Sequence, residues 1–220
     1  MLLIYQKKYL YDLKLNLTVK WPKLEVRPVQ GDYLEGIQGL IWQNDNKNLV
    51  IFLGSSIGNF TFAAANRFLK QMGTLLNHGD YLLIGFDLRK DINTIISAYN
   101  DSDGITRQFN FNLLHRMNHE LNADFKLGDF EHSGVYNSVR GAMESYLLSR
   151  KRQTVYIERL QQQIGFDLHE PMHLEYSHKY LLHQIVELAK NNNFNIVKHF
   201  MDSKHLFVNA LWQANKATRN

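Results

Sequence analysis

The sequence reads as an α/β protein: a parallel sheet finished by a C-terminal antiparallel hairpin and interrupted by a β-rich insertion. Three observations predict this. Two uniformly apolar runs, NLVIFLG at 48–54 and YLLIGFDL at 81–88, flank a stretch of helical period. Such runs suit strands covered on both faces of a parallel sheet. Residues 129–177 change to alternation, and FNIVKHF (194–200) and HLFVNALW (205–212) then read as two strands around MDSK.

Taken in order, Tyr9, Leu10, Leu13 and Leu17 recur near helical period and predict a helix over 8–20 that Pro22 ends. LEVRPV (24–29) reads as a short strand near a sheet edge, because Pro28 cannot donate to a ladder. The run at 48–54 leads into the turn Gly54-Ser55-Ser56-Ile57-Gly58-Asn59. Phe62, Ala65, Phe68, Leu69, Met72, Leu75 and Leu76 then mark the apolar face of a helix over about 61–76. Gly79-Asp80 turns the chain into the second run. Strand, helix and strand of this kind imply a right-handed parallel crossover. Ligands of open α/β sheets bind beyond the carboxyl ends of the strands, which here are Gly54–Asn59 and Asp87. Residues 89–128 predict two helices, and Asn137, Ser138 and Gly141 mark a hairpin in the insertion. Ser177 suits the cap of a helix over 178–191, with Leu181, Leu182, Ile185, Val186, Leu188 and Ala189 inward.

Composition narrows the chemistry. With 45% hydrophobic and 21% charged residues the chain can bury a core. The 25 basic against 21 acidic residues are dispersed, which argues against a nucleic-acid partner. The absence of Cys excludes disulfides, thiol nucleophiles and iron–sulfur clusters. No apolar run approaches the roughly 18 residues of a membrane span, and MLLIYQKKYLY is too short and too soon charged for a secretory signal. A soluble cytoplasmic protein with no membrane partner is expected.

Individual motifs divide. The Gly54–Asn59 turn offers close backbone approach and an amide with both donor and acceptor, or it is a plain strand-to-helix turn capped by Asn59. It matches neither a dinucleotide fingerprint nor a P-loop. His169-Glu170-Pro171-Met172-His173 has zinc-protease spacing, but Pro171 would break the helix that such a site needs, so no metal is expected. His173, Glu175 and Ser177 share one face if the segment is a regular strand, where a carboxylate beside a hydroxyl suits a ligand with N–H donors. The bland alternative is a solvated strand face. Ser149-Arg150-Lys151-Arg152 reads as a solvated basic turn, and Asn59-Phe60-Thr61 is a glycosylation sequon by pattern only.

The string IFLGSSIGNF, read with GFDLRKD, AYNDSDGITRQFNFNLL, LLSRKRQTV and LEYSHKY, resembles the histidine-specific, S-adenosylmethionine-dependent methyltransferases of ergothioneine biosynthesis over about residues 9–212. The resemblance implies a class I methyltransferase (Rossmann-like) sheet at 1–89 and 180–220, with an inserted α+β substrate domain at 90–179. It implies S-adenosylmethionine as methyl donor and an amino acid as substrate. By the same resemblance Gly54 and Asn59 line the substrate site, with Asn59 on the head group. Tyr99 binds the carboxylate, Thr106 sits near the amine, and Glu175 and Ser177 bind the imidazole. Asp32 and Tyr33 contact the adenine of the donor. Ser145 stands where the histidine enzymes carry methionine against the substrate ring, which enlarges the pocket and opens the alternative of a tryptophan-derived amine. The family's first strand and glycine-rich donor loop fall upstream of the matched blocks, and Tyr5 falls where an acidic residue holds the ribose. The expectation is therefore an incomplete sheet lacking its first strand, completed by a separate N-terminal fragment, or an inactive remnant.

Overall fold

A computed structural model of the chain describes residues 2–4, 7–31 and 46–215. Strand β1 (Leu2–Ile4) pairs in parallel with β2 (Pro28–Gln30), with helix α1 (Lys7–Lys20) between them. Leu10 of α1 is buried, while Tyr11, Leu15 and Val19 are exposed. Tyr5, Asp32 and Tyr33, the positions assigned to the donor, lie outside the described residues.

The main sheet is built from β3 (Leu49–Phe52), β4 (Tyr81–Asp87), β10 (Phe194–Met201) and β11 (Phe207–Ala214) in the order β10-β11-β4-β3. Strands β3 and β4 are parallel, joined through helix α2 (Phe62–Leu75), and β11 runs antiparallel between β4 and β10. Thr61, rather than Asn59, caps α2 by accepting from the Ala64 N–H. Alternation puts Leu82, Ile84 and Phe86 on the same sheet face as Val208, Ala210 and Trp212. That face packs on Ala65, Phe68, Leu69 and Met72 of α2 and on Ile185, Leu188 and Ala189 of helix α5 (Leu182–Asn191). Burying each such large aliphatic side chain contributes roughly 1.5–3 kcal/mol.

Two expectations are corrected here. Strand β3 is not covered on both faces: Phe52 is buried, but Leu49, Ile51 and Leu53 are 51%, 57% and 44% exposed. The reason is position. Among the described residues β3 pairs with β4 alone, and α2 and α5 pack on the face that carries Val50 and Phe52. Ser177 is also not a helix cap. It lies inside strand β9 (Pro171–His178), and α5 begins four residues past that strand's end, at Leu182, after Leu181. The helical period read over 178–191 starts too early because β9 continues through His178.

The remaining elements form the insertion. Helices α3 (Ile92–Tyr99) and α4 (Ile105–Leu121) precede β5 (Phe130–Asn137), β6 (Ala142–Ser149), β7 (Gln153–Ile157) and β8 (Gln162–Phe166). Strands β5, β6 and β9 make an antiparallel sheet, and β7 and β8 a separate hairpin. Phe111 and Leu114 of α4 join Phe125, Phe130, Leu147, Val155 and Phe166 in a second core. Lys151 pairs with Asp129 at 2.8 Å and Arg152 with Asp167 at 3.3 Å, so the basic turn is neutralised locally. No helix among the described residues is long and apolar enough to cross a membrane.

Leu69 is fully buried between α2 and the main sheet. Leu69→Ala should cost about 2–5 kcal/mol of stability, read as a lower denaturation midpoint with an unchanged denaturant slope.

Candidate substrate site

The turn after β3 is held in an unusual backbone shape. Gly54 has φ +74° and Ser55 φ +57°, consecutive left-handed residues of which only the glycine is unstrained. The strained Ser55 is held by its hydroxyl, which accepts the Asp87 backbone N–H at 3.1 Å and locks the turn to the carboxyl end of β4. A short 3-10 helix follows, Ser56–Asn59. Gly58 within it lies against β9: an added Cβ would sit 3.0 Å from the His178 carbonyl oxygen and 3.4 Å from its nitrogen. The buried Tyr180 hydroxyl reaches the Ile57 carbonyl at 3.4 Å. The turn and the strand bearing Glu175 and Ser177 are therefore in direct contact. Asn59 is exposed at the end of this turn.

Helix α3 brings Tyr99 to the same place. Asp91 caps its start, accepting from the Thr94 N–H at 2.8 Å. Asn100 pins its end to β5, exchanging two hydrogen bonds with the Gly134 backbone at 2.9 and 3.1 Å. Asp101 then caps α4, accepting from the backbone of Ile105 at 2.6 Å and of Thr106 at 2.9 Å. The Thr106 side chain first, and then these backbone bonds, hold the partly exposed Asp101 carboxyl down at about 2. Thr106 thus sits in the first turn of α4, its hydroxyl directed at the Ala98 carbonyl at 3.4 Å.

The insertion sheet supplies the other wall. In its register Ser145 faces Glu175 and Met143 faces Ser177, so all four share one side of the sheet. Ser145 is 1% exposed and its hydroxyl has no partner among the described residues. Glu175 is half-buried, and burial raises its pKa against the weaker opposing fields of Lys179 and His173. Ser177 accepts a 2.6 Å hydrogen bond from the Tyr99 hydroxyl.

His173 does not share this side. A register shift between Ser145 and Tyr146 leaves Leu174 as the extra residue of a bulge, and Tyr146 faces His173. One inserted residue reverses the parity of everything N-terminal to it. His173 accordingly contacts the rings of Tyr146 and Tyr176, with centroids 5.2 and 4.1 Å away. Those rings lie around Glu144, which is bonded by Tyr146, Asn137 and Arg140. His169 stands at φ +63° in the preceding turn, so the two histidines of HEPMH do not lie on one helical face.

Sequence reasoning missed Lys179. Its ammonium reaches Asp87 at 2.8 Å and both Tyr99 and Ser177 at 2.9 Å. Burial alone would lower its pKa, but the hydrogen bonds to Asp87 and Tyr99 outweigh that and raise it. Its signal was the continuation of the two-residue period 175, 177, 179. A cleft of about 680 Å³ lined by Asp103, Arg107, Phe111 and His115 contains none of the residues assigned to the substrate.

With this geometry the comparisons become informative. A family model described as "Histidine-specific methyltransferase, SAM-dependent" matches residues 5–214. The chain belongs to this family. It is 38% identical over 172 residues to the histidine N-alpha-methyltransferase of Mycolicibacterium smegmatis, covering 78% of this chain and 53% of that protein. It is 37% identical over 157 residues to the enzyme of the same name from Mycobacterium tuberculosis, covering 71% and 48%. The chain thus spans about half the length of the curated relatives it matches. The solved CcbJ methyltransferase of Streptomyces caelestis superposes with a TM-score of 0.50 at 9% identity, covering 97% of this chain and 74% of that one. The fold is that of the class I, Rossmann-like methyltransferases, with an antiparallel strand next to the last parallel one.

The raised Glu175 pKa sets a sign. The folded chain favours the protonated acid, so ionisation costs stability above the ordinary value of 4.5, and the cost vanishes below it. Ligand-free Glu175→Gln should melt higher than the wild type at pH 7 and alongside it near pH 4, read by calorimetric Tm at both pH values.

Proposed function

We propose that this chain carries the substrate side of an S-adenosylmethionine-dependent N-methyltransferase acting on the α-amino group of L-histidine, up to the trimethylated betaine. The observation that carries the reading is the joining of three separate elements at one point. The Gly54–Asn59 turn packs on β9 through Gly58, and Tyr99 bonds Ser177 across the same junction. In this reading residues 1–89 and 180–220 form the methyltransferase domain and 90–179 the inserted substrate domain.

The proposed roles follow from the chemistry of each side chain. Glu175 accepts a ring N–H, and its half-buried position makes a charge-assisted bond more valuable than in water. Ser177 meets the other ring nitrogen. Asn59 and Thr106 hold the amino-acid head group, and Tyr99, whose one proton goes to Ser177, accepts from it. None of those three is a carboxylate, so the ammonium form of the amine is not favoured over the neutral nucleophile. The nearby Asp101 carboxylate is committed to capping α4. Holding the amine in line contributes by alignment rather than by acid–base chemistry.

S-adenosylmethionine, when bound, supplies a methyl group on a sulfonium with an excellent leaving group. The turn beyond β3 suits such a ligand in its backbone, since a Cβ at Gly54 would meet nothing nearer than Ser56 Oγ at 4.0 Å. Asp32 and Tyr33 are proposed to hold its adenine. A separate N-terminal fragment is proposed as the protein partner that adds a strand to β3. The outer edge of β3, which among the described residues pairs with β4 alone, supports it.

The second reading, a tryptophan-derived amine, is favoured by Ser145. Its buried, unpartnered hydroxyl occupies little volume opposite Glu175. The chain is also 26% identical over 206 residues to a protein named L-tryptophan methyltransferase from Psilocybe serbica. Titrating the chain with L-histidine and L-tryptophan decides between them.

Glu175→Ala should weaken L-histidine binding by about tenfold, the scale of one charged hydrogen bond, and leave S-adenosylmethionine binding unchanged in calorimetry. Equal loss of both would remove Glu175 from the substrate pocket.

A further inference from the structure

Lys179 follows β9 directly, and its side chain is 3% exposed. An ammonium has three N–H donors and no acceptor. Here each donor has a partner: Asp87 Oδ2 at 2.8 Å, the Tyr99 hydroxyl at 2.9 Å and Ser177 Oγ at 2.9 Å. Nothing of this cation is left for a ligand. Asp87 is held in place from its other oxygen by Lys90 at 2.6 Å. The hydrogen bonds that raise the Lys179 pKa keep all three donors present at neutral pH.

The consequence falls on Ser177. A serine hydroxyl has one proton and two lone pairs. Ser177 accepts from Lys179 and from Tyr99, which fills both lone pairs. Its own O–H is the one valence remaining. Glu175 lies two residues away on the same side of the sheet and, when ionised, can only accept.

We propose that Lys179 is a positioning residue that commits Ser177 to donate toward the substrate, so that Ser177 and Glu175 together select a ring offering one N–H and one unprotonated nitrogen. Neutral imidazole meets that requirement. An imidazolium, or an indole with its single N–H, leaves the serine proton without an acceptor. The inference rests on the reading of Glu175 and Ser177 as the ring-binding pair and adds the residue that sets their polarity.

The test uses the full chain, first without ligand. In nitrogen-15 lysine NMR the Lys179 ammonium protons should be resolved, slow to exchange and close to the Tyr99 ring, and Ser177→Ala should shift them. A Lys179 signal averaged with those of exposed lysines overturns the proposal independently of any substrate. In calorimetry Lys179→Met should weaken L-histidine binding by about tenfold and weaken L-phenylalanine, which has no ring nitrogen but shares the head group near Tyr99, distinctly less. Adding Ser177→Ala to Lys179→Met should cost nothing more, because the two act as one unit. Losses that multiply, or an equal loss for L-phenylalanine, count against it. Should Lys179→Met fail to fold, Ser177→Ala alone keeps the test: a loss confined to L-histidine is expected, and an equal loss for L-phenylalanine overturns the proposal. A wild-type chain that binds no L-histidine while showing the protected ammonium would sink the substrate reading and leave the hydrogen-bonded hub standing.

Discussion

The buried pair of Lys179 and Asp87 is the contact on which the arrangement depends. Asp87 ends the second parallel strand of the main sheet, and Lys179 follows the last strand of the insertion. Their 2.8 Å contact ties two separately cored units at the edge where a ligand would sit. A buried charge is costly unless its hydrogen-bonding capacity is met. Here the cation is fully met, by one carboxylate and two hydroxyls. The backbone strengthens the junction, with Tyr180 N–H donating to the Asp87 carbonyl and Arg89 N–H to the Tyr180 carbonyl, both at 2.9 Å. The two units therefore meet through directional bonds, which fix orientation more sharply than an apolar seam.

Around that junction stability and recognition pull in opposite directions. Ser145 keeps a buried hydroxyl without a partner, and Glu175 is held where burial disfavours its charge. Neither feature favours the empty protein. Both become favourable once a ligand supplies a donor, which is the pattern expected of a binding surface rather than of a packing surface. Asp101 shows the contrast: its carboxyl is satisfied by helix N–H groups, so its shift serves the scaffold.

Much of the fold was legible. The apolar runs at 48–54 and 81–88, the helix between them and the terminal hairpin were all readable from period alone, because burial dictates period. The turn at Gly54–Asn59 was also legible, since glycine before a helix marks close backbone approach. What escaped the reading was set by partners rather than by local pattern. Exposure of Leu49 and Ile51 depends on which face of β3 the helices cover, and composition is silent on neighbours. Ser177 looked like a cap because serine before a helical period is ambiguous until the extent of β9 is known. Lys179 drew no reading at all. Its burial follows from a carboxylate ninety-two residues earlier in the chain.

The bulge at Leu174 has a consequence for how this protein can change. It divides β9 into two independently phased halves. Residues from Glu175 onward keep their orientation whatever happens upstream, because the phase is reset at that point. Deleting Leu174 would restore a regular ladder and leave His173 opposite Tyr146, whereas pairing Leu174 with Tyr146 in a regular ladder would rotate His173 onto the face of Glu175. The extra residue thus keeps an imidazole of the protein's own off the face that carries Glu175.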